Sequence, residues 1–96
     1  MPHNILVIGE LDDRSTSTTT LELLAGASEI AAGGNVSVTL LGTGAAQATV
    51  ACGGANTAYT SDDAQYNDFR GDQWISAIQS AVELESPDVI LVAQSI

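Results

Sequence analysis

Hydrophobic positions in this chain fall into short solid runs separated by longer stretches of helical period. The first run, Asn4-Ile5-Leu6-Val7-Ile8-Gly9-Glu10, is almost wholly apolar and β-branched, the pattern of a strand buried on both faces. Its counterpart near the other end is Asp88-Val89-Ile90-Leu91-Val92-Ala93, entered through Ser86-Pro87. Between them Asn35–Leu41 alternates in its first half and then turns fully apolar, predicting a second strand that Gly42-Thr43-Gly44 stops. Asn56–Thr60 predicts a short, weak third strand at a sheet edge.

The intervening segments read as helices. Leu11–Ser17 is a polar loop in which Ser15 or Ser17 is the N-cap of the first helix. That helix carries Leu21, Leu24, Ala25, Ser28 and Ala31 as its apolar stripe, widened by Leu23, Ala27 and Ile30, and Gly33-Gly34 ends it. A helix rich in small residues is predicted from Ala45 to Gly53. After the polar loop Ser61–Gly71, Asp72 is placed as the cap of a helix running Gln73–Glu85, with Trp74, Ile75, Ile78, Ala81 and Val82 towards the core and Ser86-Pro87 as its stop. The order is βαβαβαβ. With right-handed crossovers and the two most apolar strands side by side, this gives an α/β fold with an open, three-layer parallel sheet of order 3-2-1-4. Its topological switch point lies between the first and fourth strands, where ligands of such sheets bind. The candidate crevice residues are Gly9 and Glu10, then Gly42, Thr43 and Gly44, and Gln94.

Composition narrows the function classes. The 96 residues make one domain, with twelve Asp or Glu against two Arg and a formal charge of −10. A polyanion such as nucleic acid, or an anionic membrane surface, is repelled by that field. Solubility or high-salt adaptation explains the acidity most simply, and basic protein surfaces or cations are its long-range partners. Cys52 is the single cysteine, so the chain has neither an intramolecular disulfide nor a thiolate metal cluster. No basic leader opens the sequence and no apolar run approaches the roughly 20 residues of a membrane span, so a soluble cytoplasmic protein is expected.

Candidate chemistry is sparse. Gly42-Thr43-Gly44 has the composition of a phosphate-binding turn, but a dinucleotide motif needs a further glycine where Gln47 stands and belongs after the first strand, so a tight strand-to-helix turn accounts for it. Glu10, Asp12 and Asp13 lack further ligands for a cation and lie beside Arg14, so they read as a solvated acidic loop. The sole histidine, His3, lies in a terminus expected to be disordered, and no catalytic triad can be assembled around it. Cys52 and Trp74 read as core residues. No enzyme activity and no metal site are expected.

Several of these segments together carry a resemblance. Ile5–Glu10, the Ser/Thr-rich loop, Thr20-Leu21-Glu22-Leu23-Leu24-Ala25-Gly26-Ala27, the strand Val36–Leu41 closing on Gly42, and Pro87–Ala93 resemble the N-terminal domain of the electron-transfer flavoprotein alpha subunit. The resemblance implies an adenine-nucleotide-hydrolase-like sheet and kinship with a heterodimeric electron carrier that uses FAD. In that family FAD is held mainly by a C-terminal domain, and none of its FAD-contacting motifs has matching positions here, so no cofactor is expected. Residues 1–96 resemble the first half of the family's N-terminal domain. The fourth strand is then expected to present an unpaired apolar edge, Val89–Ala93, that pairs in a homodimer or with a protein partner. The function expected is a non-catalytic, flavin-free module for assembly or partner binding. The alternatives are a small nucleotide-binding domain using the switch-point crevice and a functionally idle, truncated gene product.

Overall fold

In a computed structural model the chain forms a four-stranded parallel sheet covered by helices on both faces. The residues described are 3–12, 15–49, 55–61 and 71–93. In chain order they form β1 (Ile5–Ile8), β2 (Leu11–Asp12), β3 (Ser15–Thr16), α1 (Thr18–Ala31), β4 (Val36–Leu41), α2 (Ala45–Ala48), β5 (Thr57–Ser61), α3 (Gly71–Glu85) and β6 (Val89–Val92).

The main sheet has the order β5-β4-β1-β6, which is the predicted 3-2-1-4. Ile5 pairs in parallel register with Val36 on one side and with Val89 on the other. The pleat then sorts the side chains of the central strands between two cores. Ile5, Val7, Val36, Val38 and Leu40 pack with Leu24, Ala27 and Ala31 of α1 and with Ala45 and Ala48 of α2. Leu6, Ile8 and Leu41 pack on the opposite face with Trp74 and Ala81 of α3. Three asparagines tie the strand entrances together. The Asn4 carbonyl accepts from Asp88 N–H at 2.7 Å, its side chain accepts from Asn35 N–H, and the Asn56 side chain accepts from Val36 N–H at 2.9 Å.

Several local expectations are corrected. The alternation in the first half of β4 does not mean a wet face, because all six residues are buried, with the Ser37 and Thr39 side chains on the α3 side of the sheet. β6 lies outermost beside β1 among the described residues, as the strand order implied, but it is not buried on both faces, since Ile90 and Val92 are exposed. The buried stripe of α1 is Thr20, Leu24, Ala27 and Ala31, while Leu21, Ala25, Ser28 and Ile30 are exposed. Spacings of four, three and four residues put Thr20 on the same face as the aliphatic residues, and its hydroxyl is buried because it is hydrogen-bonded. Helix α1 stops before the two glycines, with Ala32 taking the left-handed cap at φ 51°. On α3, Trp74 and Ala81 are buried and Ile78 and Val82 partly so, but Ile75 is 62% exposed. The helix begins at Gly71, so Asp72 lies inside it rather than capping it. α2 ends at Ala48, and the rest of the predicted 45–53 helix, Cys52 included, lies largely outside the described residues. His3 is docked rather than loose: its N–H donates to the Ala31 carbonyl at 2.9 Å and its imidazole lies 4.0 Å from the Asp88 carboxylate.

Tyr59 on β5 donates its phenol proton to Glu85 at the end of α3, at 2.5 Å. That hydrogen bond, then burial and the carboxylate's charge, raise the phenol above its ordinary value of 10.0. Because the folded state holds this proton more tightly, the associated stability is full below the ordinary phenol range and is lost as pH rises through the raised value. Tyrosinate absorbance should therefore show an ionisation above the ordinary phenol range that Tyr59→Phe abolishes. A single step near 10.0 in the intact protein would contradict the Tyr59–Glu85 bond.

Candidate functional site

The carboxyl ends of the strands are where a ligand of this fold would sit. β1 and β4 lie side by side there, which brings Gly9 and Glu10 to the same end of the sheet as Gly42, Thr43 and Gly44. The β1–β6 register continues through Ala93, whose N–H donates to the Ile8 carbonyl at 2.9 Å, and Gln94 lies outside the described residues.

Gly9 is buried, and its N–H donates to the Thr39 carbonyl at 2.8 Å. A Cβ built there would stand 2.6 Å from Leu40 Cδ2 and 2.9 Å from Thr20 Cγ2, so only glycine lets β1 leave the sheet beneath α1. Glu10 follows, and both of its backbone groups are engaged. Its N–H donates to Thr20 Oγ1 at 2.8 Å, and its carbonyl accepts from Ser17 N–H at 2.9 Å and from the Thr20 hydroxyl at 3.3 Å. Ser17 is the N-cap of α1, one of the two positions expected, and its Oγ accepts from Thr20 N–H and shares a hydrogen bond of 2.9 Å with the Thr20 hydroxyl. This closed network folds the predicted polar loop back on itself. β2 and β3 form a small antiparallel ladder, Leu11 opposite Thr16, and Thr16 Oγ1 donates to the Ala48 carbonyl at 2.8 Å, pinning the ladder to α2.

Gly42-Thr43-Gly44 is a strand-to-helix turn. Gly42 and Gly44 have φ of 125° and 89°, which glycine adopts at little cost. Gly42 N–H donates to the Ser61 carbonyl of β5, and the Gly42 carbonyl accepts from Ala45 N–H.

A flavin or nucleotide would need free backbone N–H groups at this mouth to receive its phosphates. At Gly9, Glu10 and Gly42 those groups are spent on Thr39, Thr20 and Ser61, and the space above Gly9 is filled by Leu40 and Thr20. These three residues do not fit a pyrophosphate. Among the described residues no group of three or more His, Cys, Asp or Glu is arranged to hold a metal, and no helix is long and apolar enough to cross a membrane.

The other notable surface is β6. Val89 N–H donates to the Asn4 carbonyl and Ala93 N–H to the Ile8 carbonyl, so the odd-numbered residues face β1. Ile90 and Val92 therefore direct their N–H and carbonyl groups away from the sheet. Their side chains share a sheet face with their register partners Leu6 and Ile8, but α3 does not cover them: Ile90 is 46% and Val92 60% exposed.

The family model for the electron transfer flavoprotein domain matches residues 5–96, nearly the whole chain. No curated protein matches it.

Proposed function

From membership of the electron transfer flavoprotein domain family, to which this chain belongs, we propose that it serves as a non-catalytic module for assembly or partner binding and has no flavin site of its own. One observation carries this reading: among the described residues no strand pairs with the outer side of β6, where the side chains of Ile90 and Val92 are exposed. An edge of this kind accepts a further strand, whose main chain supplies affinity and whose alternate side chains supply specificity. The spent backbone groups at Gly9, Glu10 and Gly42 support the flavin-free part and weigh against the nucleotide-binding alternative.

Amide hydrogen exchange tests whether the edge is open. Ile90 and Val92 should exchange about tenfold or more faster than Leu91, which is held in the ladder to β1. If all three are equally protected in the isolated chain, the edge is already covered and the docking reading fails.

A further inference from the structure

We propose that α3 lifts from the sheet as a unit while α1 and the strands beneath it stay folded, making the α3 side a cover that opens. The two faces of the sheet differ in what they bury. On the α1 side the strands offer aliphatic side chains, Ile5, Val7, Val36, Val38 and Leu40, to Leu24, Ala27 and Ala31 of the helix. The buried hydroxyl on that side of α1, Thr20, is bonded to both Glu10 and Ser17. On the α3 side, Ser37 and Thr39 of β4 lie beside Leu6 and Ile8, their register partners on β1. Both are buried, at 1% and 2% exposure, and neither hydroxyl has a hydrogen-bond partner among the described residues. α3 meets this face with Trp74 and Ala81 buried and Ile78 and Val82 only partly so. A buried hydroxyl without a partner costs free energy that hydration returns. Lifting α3 hydrates both hydroxyls and leaves the Thr20 network whole, so this layer opens more readily than the rest of the protein unfolds. Ser86, at φ 47°, and Pro87 separate the helix from β6, so α3 can swing without drawing Val89–Val92 out of the ladder with β1. The opened state bares Leu6, Ile8 and Leu41 together with the two hydroxyls.

Native-state amide exchange on the intact chain tests this, read at Ile78–Val82 of α3 and at Leu24–Ala31 of α1. The α3 amides should exchange about tenfold or more faster than those of α1. Thr39→Val keeps the side-chain shape and removes a hydroxyl that is hydrated only when α3 is lifted. It should slow α3 exchange about fivefold or more. Thr20→Val weakens a network that is whole whether α3 is down or lifted. It should speed α1 exchange about fivefold and leave α3 exchange within about twofold. Equal exchange of both helices in the unmodified chain would mean one cooperative unit and overturn the proposal. So would a Thr20→Val variant in which α3 speeds up as much as α1 while remaining the faster helix. Fast α3 exchange that Thr39→Val leaves unchanged would mean fraying of the helix without uncovering the sheet, and overturns it as well. Ser37→Ala replaces Thr39→Val if that variant fails to fold. Ser17→Ala replaces Thr20→Val if that variant fails to fold or brings both helices to one rate.

Discussion

Gly9→Ala should destabilise the protein by about 1–3 kcal/mol, the usual range for forcing a methyl into a packed core, and Gly9→Val by more. The added Cβ would meet Leu40 Cδ2 at 2.6 Å, Thr20 Cγ2 at 2.9 Å and the Thr39 carbonyl oxygen at 3.2 Å. Leu40 and Thr20 are fully buried, so neither moves aside without disturbing the α1-side core. Gly26→Ala is the matched control. It lies within α1 with nothing within 4 Å of the new methyl, and replacing a helical glycine there should stabilise by up to about 1 kcal/mol. Urea denaturation of both variants measures the contrast. Equal stability of Gly9→Ala and wild type would mean that β1 does not pass so closely beneath α1.

Thr20→Val should cost about 1–3 kcal/mol, although the side chain keeps its shape. The hydroxyl that accepts from Glu10 N–H and donates to the Glu10 carbonyl is lost, and Ser17 loses its side-chain partner. Thr20→Ser keeps the hydroxyl and should retain more stability than the valine variant. Because Ser17 and Thr20 belong to one network, Ser17→Ala combined with Thr20→Val should cost less than the sum of the two single changes. Strict additivity in denaturant titrations would show that the two hydroxyls act independently.

These two sites show what was legible in the sequence and what was not. The strand runs were legible because a solid apolar segment such as Ile5–Ile8 has few solutions other than a buried strand, and helical segments between such runs dictate parallel pairing. Sheet order, the Ser17 cap and the edge position of β5 followed from the same logic. Thr20 was hidden because hydropathy treats a threonine as a surface residue, while its burial depends on Glu10, ten positions away. Its spacing from Leu24, Ala27 and Ala31 was the available signal. The β2–β3 ladder was hidden for a related reason: two-residue strands carry no period, and Thr16 is held by Ala48, 32 residues further on. Ile75 was misplaced by its hydrophobicity alone. The apolar character of Ile90 and Val92 was read first as burial, although the strand order already made β6 an edge.

At the candidate site, the glycines were legible as residues but their roles were not. Gly9 is legible as a candidate crevice residue, yet the space a ligand would need beside it is filled by Leu40 and Thr20. Gly42 and Gly44 serve the turn into α2, as the missing glycine at Gln47 had indicated. What distinguishes a cradle from a packed turn is whether its N–H groups remain free, and that depends on long-range partners such as Ser61 and Thr39.

A native mass spectrum of the purified chain tests the proposed flavin-free assembly role most directly, since it weighs the polypeptide together with anything it retains. The expected result is the mass of the bare chain, alone or in complexes made only of polypeptide. A retained flavin or adenine nucleotide would contradict it and return the function to the mouth of β1 and β4.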